Sequence, residues 1–114
     1  MGIQLKNGYL DQVPAANTTL YTCPAGTAAR VMKCTATNDT TTVTTITVHK
    51  VESGGAVDVD RAIINGRNLG SNETYECPEI VGQVLDAGDF ISAIAGVATQ
   101  ILVSLDVVEI TNES

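Results

Sequence analysis

Tryptophan is absent from these 114 residues, and the aromatic stock is Phe90 with Tyr9, Tyr21 and Tyr75. Sandwich modules that bind glycans stack sugar rings on aromatic faces, and four rings that must also serve a core cannot furnish one. Histidine occurs once, at His49. Nucleophilic catalysis needs a base beside the nucleophile, and His49 is the sole candidate. Its phase with Thr45 and Thr47 places it on a solvent-facing or partner-facing side. Cys23, Cys34, Cys77 and His49 total four metal-ligand types, yet no two cysteines stand at the C-x2-C spacing of a structural zinc site. The expectation is a protein that is not an enzyme, with no catalytic residue, no cofactor and no metal site.

Cations are also scarce. Six Lys and Arg face thirteen Asp and Glu, for a formal charge of −7. Lys6, Arg30, Lys33, Lys50, Arg61 and Arg67 are scattered, whereas neutralising phosphates needs them clustered. Nucleic acid and an anionic membrane surface are therefore excluded as partners. No apolar run approaches the ~20 residues of a spanning helix. Met1 to Asp11 carries no charged segment followed by an apolar one, so no secretory signal is read there. Three cysteines cannot all pair within one chain, and so sparse a count suits a reducing compartment. Four N-x-S/T triplets, at Asn17, Asn38, Asn72 and Asn112, read as turn asparagines beside abundant threonine.

What the chain has is β-branched side chains: 15 Thr, 13 Val and 9 Ile. These lose rotamer freedom in helices and pack well on a pleated sheet. Turn signals recur every eight to twelve residues, as in a sandwich. Strands are predicted over Thr18 to Cys23, Ala28 to Thr37, Thr42 to Glu52, Val57 to Ile64, Thr74 to Cys77, Phe90 to Ala95 and Gln100 to Thr111. Val81 to Leu85 shows no clean period. Asn65 to Asn72, with three Asn and two Gly, reads as a mobile loop. The last strand alternates most regularly: Ile101, Val103, Leu105 and Val107 on one face, Leu102, Ser104 and Asp106 on the other. Apolar residues on both faces make it a central strand. The fold expected is all-β, an antiparallel β-sandwich, jelly-roll-like, of about eight strands with an extended N-terminal arm. Residues 1–16 form that arm or a short hairpin around Asn7-Gly8, and residues 17–114 form the single domain.

Several features invite a functional reading. Asp58 with Asp60, and Asp86 with Asp89, could hold calcium or run glycoside hydrolysis, but they suit a solvated strand face and a turn. Thr35 to Thr47 contains eight threonines, which suit either an exposed sheet face or a flat one docked on another subunit. Tyr21-Thr22-Cys23-Pro24 is echoed by Tyr75-Glu76-Cys77-Pro78, either by coincidence or because a double Greek key places two strands equivalently. Ile3, Leu5, Tyr9 and Leu10 are apolar residues of the arm, which either adds a strand to a neighbour or closes its own sheet. With Thr45, Thr47 and His49 they make the candidate partner-binding set.

Two stretches, Leu20 to Gly55 and Val84 to Thr111, carry a resemblance. Their motifs are Pro24-Ala25-Gly26, Ala29-Arg30-Val31, the corner Asn38 to Thr42, the hairpin strand Ile46 to Val51, Leu85-Asp86-Ala87-Gly88-Asp89-Phe90-Ile91, and the valine-rich Val103 to Glu109. In this pattern the chain resembles small β-sandwich virion structural proteins of tailed bacteriophages, of the capsid decoration or cement type. The resemblance implies a capsid-surface protein made in the host bacterial cytoplasm. Its partner would be the major capsid protein, whose subunits it would bridge as a homodimer or homotrimer. Tail, fibre and head–tail adaptor modules share the pattern and form the alternative.

Overall fold

Alternation in Ile101–Thr111 sets the centre of the structure, a computed structural model that describes residues 2–111. This strand, β9, buries Ile101, Val103, Leu105, Val107 and Glu109 and turns the intervening side chains outward. It lies between β1 (Gly2–Gln12) and β3 (Thr27–Asn38), antiparallel to both. The far edge of β3 is covered in turn by β6 (Thr74–Tyr75) and β7 (Val84–Leu85). A second sheet runs β2 (Thr18–Thr22), β8 (Phe90–Ala95), β4 (Thr44–Val51) and β5 (Ala62–Leu69). The chain changes sheets at most connections, giving the paths β1-β9-β3-β6 and β2-β8-β4-β5. That is the double Greek key of a jelly roll.

Between the sheets, Val31, Ile46, Val48, Leu69, Ile80, Leu85, Ile91 and the inward residues of β9 form one core. Each such side chain removed from water stabilises by roughly 1.5–3 kcal/mol, which is how a chain so poor in aromatics closes a sandwich chiefly with branched aliphatics. The Tyr-x-Cys-Pro echo now has a place. Its two copies end β2 and β6, edge strands that correspond when the path β1-β9-β3-β6 is laid on β5-β4-β8-β2. Each tyrosine ties one sheet to the other. Tyr21 on β2 donates its hydroxyl to Glu109 on β9. Tyr75 on β6 carries the Arg67 guanidinium of β5 over its ring, 3.8 Å from the centroid, and donates to Glu79.

Four expectations are corrected. Residues 2–12 do not stand off as an arm: β1 pairs with β9 from Gly2↔Thr111 to Gln12↔Leu102. Asn7-Gly8 is no turn either but a β-bulge within that strand, where the register shifts. A Cβ on Gly8 would meet the Tyr21 ring at 3.3 Å, so the bulge lets the strand pass close over it. The strand expected at Val57 to Ile64 lies five residues later, because Val59–Arg61 is a 3-10 turn. The loop expected at Asn65 to Asn72 is mostly strand: β5 runs through Asn65-Gly66-Arg67 by a bulge. There Gly66 takes φ +61° and donates its N–H to Thr47 Oγ1 at 2.9 Å. Turn-forming residues mark a bulge as readily as a loop.

The threonine run makes no single face. Thr35 and Thr37 lie on β3, while Thr44, Thr45 and Thr47 lie on β4 in the opposite sheet. The corner between them is knotted by fully buried Asn38, whose amide donates to the carbonyls of Thr42 (2.8 Å) and Leu69 (3.1 Å) and whose oxygen accepts from Thr40. The triplet at Asn112 lies outside the described residues.

Candidate functional site

Polar groups within the sandwich do structural work. Glu109 is 6% exposed; beside the Tyr21 hydroxyl it has Lys6 Nζ at 3.6 Å. Burial and the Glu109 carboxylate together push the Tyr21 hydroxyl well above the usual phenol range, so it stays a proton donor. Its proton is held, not poised for transfer. Among the described residues no three His, Cys, Asp or Glu converge as metal ligands. Asp86 and Asp89 are occupied at a turn: Asp89 accepts from the backbone N–H of Asp86 and of Ser53. Asp58 stands at the N-cap of the 3-10 turn and Asp60 within it, without converging on a common site.

His49 keeps the outward phase of Thr45 and Thr47 but is 6% exposed, because the connection carrying the 3-10 turn packs on β4. Burial lowers its imidazole pKa, which the Asp58 carboxylate opposes, and Nδ1 has no hydrogen-bond partner. It faces the covering segment, not free surface. Thr45 and Thr47 are half-buried, and Thr47 is committed to Gly66. Tyr9 faces inward against the core and donates its hydroxyl to the Gln12 carbonyl at 3.1 Å.

Ile3, Leu5 and Leu10 remain exposed, at 71%, 77% and 60%. Cross-strand register explains what they build. Ile3 lies beside Ile110 and Leu5 beside Val108 on β9; these face Ala28 and Arg30 on β3, and Arg30 pairs with Val84 on β7. The outer face of this sheet is thus an apolar band at one end, with Met32 and Val84 exposed beside it. Both neighbours of β9 bulge at the same level, next to Asp106. Paired bulges deepen the local twist, and a groove of about 410 Å³ opens there, lined by Leu5, Lys6, Asn7, Met32, Asp106 and Val107. Alongside runs the free edge of β1, eleven residues long. Sequence reading picked out the apolar residues of β1, but missed Met32, Val84, Val108 and Ile110. A tally of outward positions on β9 and β3, combined across strands, is the signal that finds them.

An apolar sheet face beside a long open edge is the kind of surface on which another protein can pair. Similarity to known proteins is confined to architecture. No family model matches this chain, and no curated protein does either. Among solved structures it is similar to a subunit from work described as "Bacillus endospore appendages form a novel family of disulfide-linked pili". The identity is 11% and the TM-score 0.54, over 97% of this chain and 89% of that one. It is also similar to the VP2 subviral particle protein of infectious bursal disease virus, at 13% identity and TM-score 0.55 over 95% of this chain. The Gx strain of that virus gives 13% and 0.54. This chain spans 32% of those viral chains. The shared element is the fold, which recurs in pilus and viral capsid proteins.

Proposed function

We propose that this chain is a non-enzymatic structural protein of a bacteriophage virion, made in the bacterial cytoplasm, that decorates the capsid and stabilises it by bridging major capsid subunits. The observation that carries this is the β1 edge with its exposed Ile3, Leu5 and Leu10 on a jelly-roll frame. A strand added to an open sheet edge gains main-chain hydrogen bonds, and pockets for alternate side chains give it specificity. Covering Ile3 and Leu5 adds roughly 1–2 kcal/mol each. Multiplied over many copies, bound protein shifts the shell toward its assembled state by mass action. Tyr9 supports this surface from behind, Thr45, Thr47 and His49 lie on the outer side of the opposite sheet, and self-association as a homodimer or homotrimer uses the β1 edge.

The alternative is a tail, fibre or adaptor module. It draws support from the pilus likeness, in which this chain spans 89% of that subunit. One experiment separates the readings. Leu5→Glu and Ile3→Glu place a charge on the outer face without touching the core, so the unfolding midpoint stays within roughly 0.5 kcal/mol of wild type. The virion reading expects the wild-type chain to cosediment with capsids in copy numbers comparable to the major capsid protein, and both variants to lose that binding. Undiminished cosedimentation of the variants would overturn the proposed surface. Filaments formed by the chain alone would move the assignment to the fibre module.

A further inference from the structure

Three thiols are free and buried in this structure, but only two of them meet. β3 pairs with β6 through Ala36↔Tyr75 and Thr37↔Thr74. Two residues past the end of β6, the continuation of that register brings Cys77 toward Cys34 on β3. Both point inward, as Ala36 does, and they are 2% and 0% exposed. Directly opposite residues of an antiparallel pair hold their Cβ atoms ~4.5–5.5 Å apart, and a disulfide needs ~3.5–4.5 Å, so closing the bond requires a local shift on the order of 1 Å. The Cys77 thiol donates to the Tyr75 carbonyl at 3.6 Å, and the two thiols are near enough for each to shift the other's proton affinity. Cys23 is elsewhere, with its thiol donating to the carbonyls of Thr27 (3.3 Å) and Leu85 (3.6 Å).

Cys77 is also where the chain leaves the ladder. It takes φ +47°, a left-handed conformation unfavourable for a side chain with a Cβ, immediately before Pro78. Its carbonyl accepts from the N–H of Ile80 (3.0 Å) and of Val81 (3.3 Å), which folds the following turn over the pair. Residues Gly82 and Gln83 then rejoin β3 at Val31. The turn between β6 and β7 is therefore held on β3 at each end, with the two thiols between the attachments.

We propose that Cys34 and Cys77 are a redox-closable pair, which an exogenous low-molecular-weight disulfide converts to an intrachain cystine clamping β6 to β3. Oxidised glutathione supplies the oxidising equivalents. Cys77 loses its proton to solvent and attacks one glutathione sulfur, giving a mixed disulfide and releasing a glutathione thiolate. Cys34, deprotonated in turn, attacks the Cys77 sulfur and expels the second thiolate. Two protein thiols are oxidised, one glutathione disulfide is reduced to two thiols, and the protons end on the products. The order follows from the proximity itself: the Cys34 thiol beside the Cys77 sulfur lowers the Cys77 pKa, and Cys77 raises that of Cys34. Access comes by local opening of β6, which is held by two residue pairs.

The test uses the full chain, fully reduced and then incubated with oxidised glutathione. After denaturation the accessible thiols fall from three to one. The intact mass drops by about 2 Da, and peptide mapping joins the segment holding Cys34 to the one holding Cys77. The thermal midpoint rises on the order of 10 °C, since the bond closes a long loop. Cys23→Ala keeps the mass, mapping and thermal changes, with its thiols falling from two to none, whereas Cys34→Ala and Cys77→Ala lose them. Three thiols persisting in the wild-type chain, a link through Cys23, disulfide-linked dimers, or a glutathione adduct that never resolves would each overturn the proposal. The wild-type readouts decide it even where a cysteine variant fails to fold.

Discussion

His49 shows how a single residue can be legible in phase and illegible in burial. Alternation along β4 fixes which way the ring points, but the covering segment comes from beyond the strand, and strand periodicity carries no trace of it. Its burial has a consequence for acid stability. The folded chain holds the imidazole pKa below its ordinary 6.5, so below that pH the unfolded chain binds more protons, and stability rises with pH through this window. Urea unfolding midpoints of the wild-type protein should therefore fall between about pH 7 and about pH 5. His49→Leu removes the group and should flatten that part of the slope; an unchanged slope would sink this account. Cysteine shows the same division. That the three thiols are small buried residues is readable from their sparse count, but the meeting of Cys34 with Cys77 depends on register between distant strands.

Elements with a clean period were legible nearly to the residue. Phe90–Ala95 is a strand with the bounds alternation gives it, and Ile101–Thr111 differs from expectation by one residue. Errors gather where glycine and asparagine interrupt a strand. Asn7-Gly8 and Asn65-Gly66 have the composition of tight turns, yet each is flanked by strand on both sides and becomes a bulge. Composition reports that the backbone can take an unusual conformation there, while only the partner strand decides whether the chain reverses or kinks. For Gly66 the conformation is required, at φ +61°. Gly66→Val should destabilise by roughly 1–2 kcal/mol. Hydrogen exchange should show the loss first in β5, at the edge of its sheet, with β9 still protected. Uniform loss of protection would mean the bulge is not a local feature.

At the scale of the molecule, the sandwich was legible because β-branched content and turn spacing agree on one architecture, whereas the Tyr-x-Cys-Pro echo, open to coincidence in the sequence, acquires its meaning from the strand order. The apolar outer face was not legible, since its members come from β1, β3, β7 and β9 and become neighbours only through pairing. That pairing also sets how the domain bears a load. Gly2 and Thr111 are opposite each other in register, so the described ends emerge side by side. Tension applied between them peels β1 from β9 one residue pair at a time. Strands pulled from opposite ends must instead break many bonds at once. Optical-tweezers extension from the two ends should therefore yield at low force, and anchoring at residue 12 and residue 111 should load the same strands in shear and raise the yield force several-fold. Equal forces in both geometries would argue against the β1–β9 ladder. In the proposed virion role, the domain would resist strain best when its neighbours hold it along the length of β1, with the described ends free of load.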